Sequence, residues 1–403
     1  MDKLGVYIHI PFCASKCSYC DFCSRAGAEK LMPDYHEALL GHIAESEAQF
    51  TQYYVDTVYF GGGTPSYYGA KRICELLQEL KYAASVLKES EITVEANPDS
   101  MDRKSLEALR KEGVNRLSVG VQSASDDILR LMGRRHSFRQ AQDAVKMARD
   151  AGFDNISLDL MYGLPSQNRK EWAETLSRAL ELRPEHISCY GLKLEESTPM
   201  YAQFNGTPFL PDDDEQADMY LFAVETLGSY GYPQYEISNF AVPGYESRHN
   251  MKYWTLDDYM GFGASAHSKI GNRRYAYTSD IESYIMGALG HEAIISEYEE
   301  LPLSEQAAEY IIFGMRTARG ISEAEFFNRY RGNFGALELC LRDFEKHGWA
   351  RSFGGRWAFT PNGFLLSNTL INALLDARRR SSPDGFDGEE LAPRLRLELR
   401  DFN

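Results

Sequence analysis

Along the first half of the chain, short apolar runs rich in β-branched and aromatic residues alternate with segments of helical period. GVYIHI (5–10), TVYF (57–60), ITVEA (92–96), RLSVGV (116–121), NISLDL (155–160) and HISCYGL (186–192) read as strands. Between them Tyr35–Phe50, Lys71–Leu87, Arg103–Glu112, Phe138–Ala151 and Lys170–Glu181 read as helices, with Asp34, Asp102 and Ser137 as N-caps. Strand and helix repeated about six times predict parallel βαβ units. Right-handed crossovers then curl them into an α/β fold, a partial (βα)6 TIM-like barrel. In such barrels chemistry sits at the C-terminal strand ends. GGGTPS follows TVYF, EANPD follows ITV, GVQ ends RLSV and DLMYGLP follows NISL, so each motif falls in that place.

From about 196 to 290 the rhythm loosens into Pro-, Gly- and Tyr-rich stretches with one clear helix, Glu215–Tyr230. Helical periodicity returns at Ser304–Thr317, Glu323–Arg329 and Ala336–His347, followed by a short hairpin and a last helix. That order predicts a smaller, mainly helical, winged-helix-like C-terminal domain. The expected organisation is a core with its extension over 1–290, a C-terminal domain over 300–377 and a flexible tail over 378–403.

Composition narrows the class. Hydrophobic residues make up 43% and charged residues 25%, a globular balance. The net charge of −16 repels phosphate backbones, so no nucleic-acid partner is expected and the C-terminal domain reads as a packing or substrate-covering element. No apolar run is long enough to span a bilayer. The opening MDKLGVYIHIPF has no small-residue cleavage site, so no secretion signal is read.

Cysteine placement changes the picture most. Of seven cysteines, Cys13, Cys17, Cys20 and Cys23 fall within eleven positions, while Cys74, Cys189 and Cys340 are scattered and read as core residues. Chance would place a C-x-x-x-C-x-x-C run in a chain of this composition only about 0.002 times, so CASKCSYC is a site. Three thiolates on one tight loop can hold three irons of a [4Fe–4S] cube and leave the fourth open. A structural zinc site is the alternative, with Cys23 or His9 as the fourth ligand.

C-x-x-x-C-x-x-C after a first strand, with Tyr19 before the last Cys and GGGTP downstream, resembles the radical S-adenosylmethionine (SAM) superfamily. YIHIPFC, VYFGGGTPS, EANPD, SVGVQS, LDLMYGLP and SCYGLKLEESTP resemble its oxygen-independent coproporphyrinogen III oxidase group, over about residues 4 to 365. The resemblance implies a [4Fe–4S] cluster on Cys13, Cys17 and Cys20, with the open iron taking the amino and carboxylate groups of SAM. Reductive cleavage would give a 5′-deoxyadenosyl radical, and an electron donor is implied. It also implies SAM contacts from Gly61, Gly62, Gly63, Thr64, Tyr7, Tyr19, Glu95, Gln122, Arg134 and Asp159. The residue types suit this: glycines allow close approach and leave polar backbone groups for the ligand, carboxylates suit ribose hydroxyls, Arg the methionine carboxylate and aromatics adenine. Read without the resemblance, Gly61–Gly63 could be a plain turn, Glu95 and Asp159 helix caps, and Arg134 a surface charge.

His249-Asn250-Met251-Lys252-Tyr253-Trp254 matches an H-N-x-x-Y-W signature of the HemW-type haem-chaperone branch. An imidazole beside stacked aromatics is a reasonable haem-iron ligand set, so His249, Asn250, Tyr253 and Trp254 are the expected haem contacts, with His267 a second candidate. A hydrogen-bonded structural histidine is the alternative at both positions. The oxidase branch carries a further Cys two residues after its third cluster Cys; here that residue is Phe22. An N-terminal extension expected of the oxidase is also missing before Cys13. The resemblance therefore implies a cytoplasmic haem chaperone that does not turn over coproporphyrinogen III, with SAM cleavage still open to it. The alternative is the oxidase, decarboxylating two propionates of coproporphyrinogen III by hydrogen abstraction with the 5′-deoxyadenosyl radical. The chaperone's cargo would pass to an apo-haemoprotein, with a membrane respiratory component as the expected recipient.

Overall fold

A computed structural model describes residues 1–380. The predicted strands are all present: β1 (Asp2–Ile10), β2 (Tyr53–Gly62), β3 (Val86–Ala96), β4 (Arg116–Gln122), β5 (Ile156–Tyr162) and β6 (His186–Gly191). They pair in parallel in chain order. The helices α1 (Met32–Glu45), α2 (Ala70–Ala83), α3 (Arg103–Glu112), α4 (Phe138–Asp150) and α5 (Arg169–Glu181) connect them. Leu39, Ile73, Leu76, Val94, Val119, Leu158 and Trp172 are buried between sheet and helices, which is why these strands read as near-continuous apolar runs.

Local signals held at most ends. Asp102 accepts from Ser105 N, and Ser137 and Gln140 form a capping box. Asp34 is a correction: α1 begins at Met32 with Pro33 in its first turn, so Asp34 sits inside that turn near the positive helix end. The helix expected to reach Leu87 stops at Ala83, because Val86 already pairs with Val55 in the sheet.

The region that looked irregular completes the barrel wall. It contains α6 (Asp213–Ser229), β7 (Asn239–Ala241), α7 (Arg248–Thr255), β8 (Tyr259–Phe262), β9 (His267–Ile270), β10 (Arg273–Tyr277) and β11 (Ile295–Glu300). β7 adds antiparallel to β6, and β8 adds parallel to β1 with β9, β10 and β11 beyond it. The sheet order is β11-β10-β9-β8-β1-β2-β3-β4-β5-β6-β7, a barrel that does not close.

The C-terminal part has its own core. α8 (Leu303–Gly314), β12 (Ile321–Ser322), α9 (Glu323–Tyr330), α10 (Gly335–Lys346), the hairpin β13 (Ala350–Phe353) and β14 (Arg356–Phe359), and α11 (Ser367–Arg380) follow in winged-helix order. Ile311, Leu337, Leu341, Trp357 and Leu374 form its interior. The segment expected to be a tail from 378 begins inside α11; the rest of it lies outside the described residues. Cys189 is buried as expected, whereas Cys74 and Cys340 stand half-exposed at core margins. Among the described residues no helix is long and apolar enough to cross a membrane.

Candidate functional site

The period-two alternation of the strands turns a row of polar residues inward. Ser118, Gly120 and Gln122 of β4, Asp159 and Met161 of β5, and Ser188 and Tyr190 of β6 line one cavity of ≈ 560 Å³. Cys13, Cys17 and Cys20 line the same cavity, each half-buried. Their loop is pinned from several sides. Phe12–Cys13 pairs with Arg25–Ala26, Ser18 N donates to Met132 O at 3.1 Å, and Met200 N donates to Ser18 O at 2.8 Å. Thr64 Oγ1 donates to Cys13 Sγ at 3.5 Å and Arg134 Nη1 to Cys17 Sγ at 3.6 Å. Burial pushes the Cys20 thiol up from its ordinary value.

Both candidates for a fourth zinc ligand are engaged elsewhere. His9 Nε2–H donates to Cys23 O at 2.8 Å, so its Nδ1 is the acceptor for Tyr7 Oη at 3.0 Å. Burial lowers the His9 pKa to about 4, keeping the ring neutral. Cys23 Sγ contacts Ser279 O at 3.6 Å.

Of the residues expected to contact SAM, Tyr19, Gly62, Gly63, Thr64, Glu95, Gln122, Arg134 and Asp159 line the cavity. Tyr7 and Gly61 stand behind it, the Tyr7 ring lying beside both Tyr59 and His249 with centroids 6.2 and 6.4 Å away. The expectation of free backbone donors in the glycine run is corrected. Gly62 N donates to Glu95 Oε2, Gly63 N to Ile10 O and Thr64 N to Phe12 O. Close approach is what the glycines supply. A Cβ on Gly63 would lie 2.8 Å from Phe12 O, and Gly62, at φ +113°, would put one 2.6 Å from the His9 ring.

Glu95 and Asp159 cap no helix. Glu95 accepts from Tyr59 Oη at 2.9 Å, and Asp159 accepts from Ser118 at 3.0 Å and Ser188 at 2.8 Å. Burial, helped by the Asp159 charge, raises the Glu95 pKa to about 7. Arg134 is not a surface charge either: Nη2 donates to Asn97 Oδ1 at 2.8 Å and Gly120 O at 2.6 Å. Gln122 holds φ 67°, a left-handed conformation uncommon for a non-glycine residue and found at ligand sites. Sequence reasoning missed Tyr59, Asn97, Arg116, Ser118, Ser188 and Tyr190, which also line the cavity. Strand parity was the signal that could have found most of them, since Arg116 and Ser118 share parity with Gln122.

The HNMKYW segment forms α7, which plugs the floor of the barrel. Its N-terminus docks on Glu91, whose carboxylate accepts from Arg248 N at 3.1 Å and His249 N at 3.0 Å. Lys252 Nζ pairs with Asp56 Oδ1 at 2.7 Å. His249 is 0% exposed, stacked on Tyr59 at 5.2 Å, with Nδ1 bonded to Thr57 Oγ1 and Nε2 to Tyr253 Oη. The expected open iron ligand is therefore an imidazole with both nitrogens engaged, and burial lowers its pKa to about 3. Asn250 lines the cavity from below, Tyr253 packs edge-on to Tyr259, and Trp254 packs on Phe313 of the C-terminal core. His267 is exposed on β9 and does not line the cavity.

The radical SAM superfamily profile matches residues 7–179. The chain is 36% identical to the heme chaperone HemW of Bacillus subtilis (strain 168), covering 92% of this chain and 99% of that protein. It is 33% identical to the heme chaperone HemW of Escherichia coli (strain K12), covering 93% and 99%. The chain belongs to the HemW family. The fold of this HemW-family chain is also that of the coproporphyrinogen III oxidase HemN from Escherichia coli. The two superpose with a TM-score of 0.81 over 93% of this chain and 90% of that one, at 24% identity. Radical SAM membership implies a [4Fe–4S] cluster and SAM. The residues fit such a pair: three thiols share one cavity wall, and hydroxyl and guanidinium donors already face two of the sulfurs, as thiolates holding an anionic cluster require.

Proposed function

We propose that this chain is a haem chaperone that holds a [4Fe–4S] cluster and SAM in the barrel cavity. It carries haem at the His249–Trp254 segment and passes it to an apo-haemoprotein, a membrane respiratory component. Cys13, Cys17 and Cys20 would hold the cluster. Tyr19, Gly62, Gly63, Thr64, Glu95, Gln122, Arg134 and Asp159 would surround SAM, with Tyr7 and Gly61 supporting that wall. Held by Cys13, Cys17 and Cys20, a cluster reduced by an electron donor would supply the one-electron chemistry for SAM. The protein's own part is to orient and shield: Arg134 bridges Cys17 and β4, while Glu95 and Asp159 offer acceptors in the lumen.

The observation that carries this reading over the oxidase is Phe22. It is 71% exposed and lines the cavity at the position where the oxidase branch has a thiol. A phenyl ring can supply neither a thiolate ligand nor a hydrogen atom there, but it offers apolar contact to a flat macrocycle.

In this reading His249 ligates haem iron through Nε2 after exchanging its Tyr253 hydrogen bond. Reconstituted, reduced protein is titrated with haem, and separately incubated anaerobically with SAM and coproporphyrinogen III. A shifted Soret band in wild type, weakened about tenfold or more in His249→Ala with the cluster absorbance intact, is the expected result. Unchanged haem affinity in that variant removes the segment from haem binding. Protoporphyrinogen formed over several turnovers would make the chain the oxidase.

A further inference from the structure

Arg116 opens β4 at the floor end of the lumen, one inward-facing position below Ser118. It lines the cavity, yet it is 1% exposed. Nε and Nη1 are buried without a hydrogen-bond partner, and among the described residues Arg116 has no ion pair. A guanidinium does not shed its proton in a protein. This charge is therefore held in the interior with donors unused, which is costly unless something supplies the acceptor.

The acidic groups near it hold it ionised through their charge, Glu91 above all, but none bonds Nε or Nη1. Glu91 accepts the two N–H groups of α7, Asp159 is held by Ser118 and Ser188, and Glu95 is held by Tyr59 and Gly62 N. Tyr59, Tyr235, His186 and His249 complete the surroundings; each histidine is a neutral ring, its pKa lowered by burial with the Arg116 charge adding to the effect. Asn250, from α7, lines the same cavity and carries an amide that can bond a carboxylate.

We propose that Arg116, assisted by Asn250, is a carboxylate-binding subsite at the foot of the lumen, filled by an acidic arm that a ligand extends down from the cavity mouth. A planar two-oxygen acceptor matches the guanidinium fork. Two ligands could bring it: a propionate of haem, which rests on the haem-chaperone reading, or the methionine carboxylate of SAM. The propionate is favoured because Arg134, which donates to Cys17 Sγ, is the cation beside the cluster cysteines and would take the carboxylate of SAM.

The test titrates reconstituted full-length wild type, Arg116→Met and Arg116→Lys with haem, haem dimethyl ester and SAM, reading the Soret band for the first two and equilibrium dialysis for the third. Expected is haem affinity about tenfold or more weaker in Arg116→Met and partly restored in Arg116→Lys. The ester should bind wild type as weakly as haem binds Arg116→Met, a comparison that needs no variant to fold. SAM affinity should not change. Wild-type affinity of Arg116→Met for both haem and SAM overturns the subsite. Loss of SAM binding alone overturns the propionate assignment and gives the carboxylate to SAM. A wild type that binds no haem fails the chaperone reading itself and leaves the SAM arm to decide the subsite.

Discussion

His249 Nε2 and Tyr253 Oη, one helical turn apart on α7, lie 2.8 Å from each other in the barrel floor. If the imidazole is the haem ligand, this bond is what iron must displace. Tyr253→Phe should then cost about 1–3 kcal/mol of stability, by leaving a buried ring nitrogen unpaired, while haem affinity holds or rises. Urea melts and a haem titration on the same preparation check both. Haem affinity falling as far as in His249→Ala would make the hydroxyl the contact.

Cys17→Ser removes the sulfur that Arg134 faces. A hydroxyl is a poor iron ligand beside a thiolate. Iron and acid-labile sulfide after anaerobic reconstitution should drop to background, with the circular dichroism of the fold unchanged. A retained brown chromophore would show that the ligand set is different.

Glu95 makes stability depend on pH in a direction opposite to that of a salt-bridged carboxylate. Its pKa is raised from 4.5 to about 7 by burial and by Asp159. The folded chain therefore holds its proton longer than the unfolded chain. The contribution is present in full below 4.5 and is lost as pH rises through about 7. Over that window the loss is about 3 kcal/mol. Urea melts of SAM-free wild type and Glu95→Gln at pH 5 and pH 8 isolate it, since the variant lacks this slope. Parallel curves for the two proteins would assign the titration elsewhere.

The C-terminal core is tied to the barrel wall by Arg274 on β10 and Glu309 on α8, 2.9 Å apart with side chains 8% and 3% exposed. Glu309→Ala removes a buried carboxylate that Arg274 faces and should cost about 3–5 kcal/mol. Arg274→Met with Glu309→Leu should recover most of that loss in thermal melts, because the penalty lies in unbalancing the buried charges. A double variant as unstable as the single one would place the cost in packing.

The alternation of apolar runs and helical periods was enough to foresee the parallel sheet from β1 to β6, and the cysteine spacing was enough to foresee a loop that puts three thiols on one wall. Both are local. Strand and helix character depend on neighbours two to four residues away, and a loop brings close cysteines to one wall whatever surrounds it. The same locality explains the caps at Asp102 and Ser137, read three residues at a time. What tertiary structure decided were the partners of polar groups distant in sequence. His249 meets Thr57 across 192 positions, and its motif became a floor plug instead of an open pocket. Val86 left the predicted helix because Val55 paired with it. The short strands β7 to β11 carry too little apolar pattern to be seen alone, and form because the edges of an existing sheet supply their hydrogen bonds. Arg116 read simply as the start of a strand; only the lumen assembled around it left its Nε and Nη1 buried without a hydrogen-bond partner.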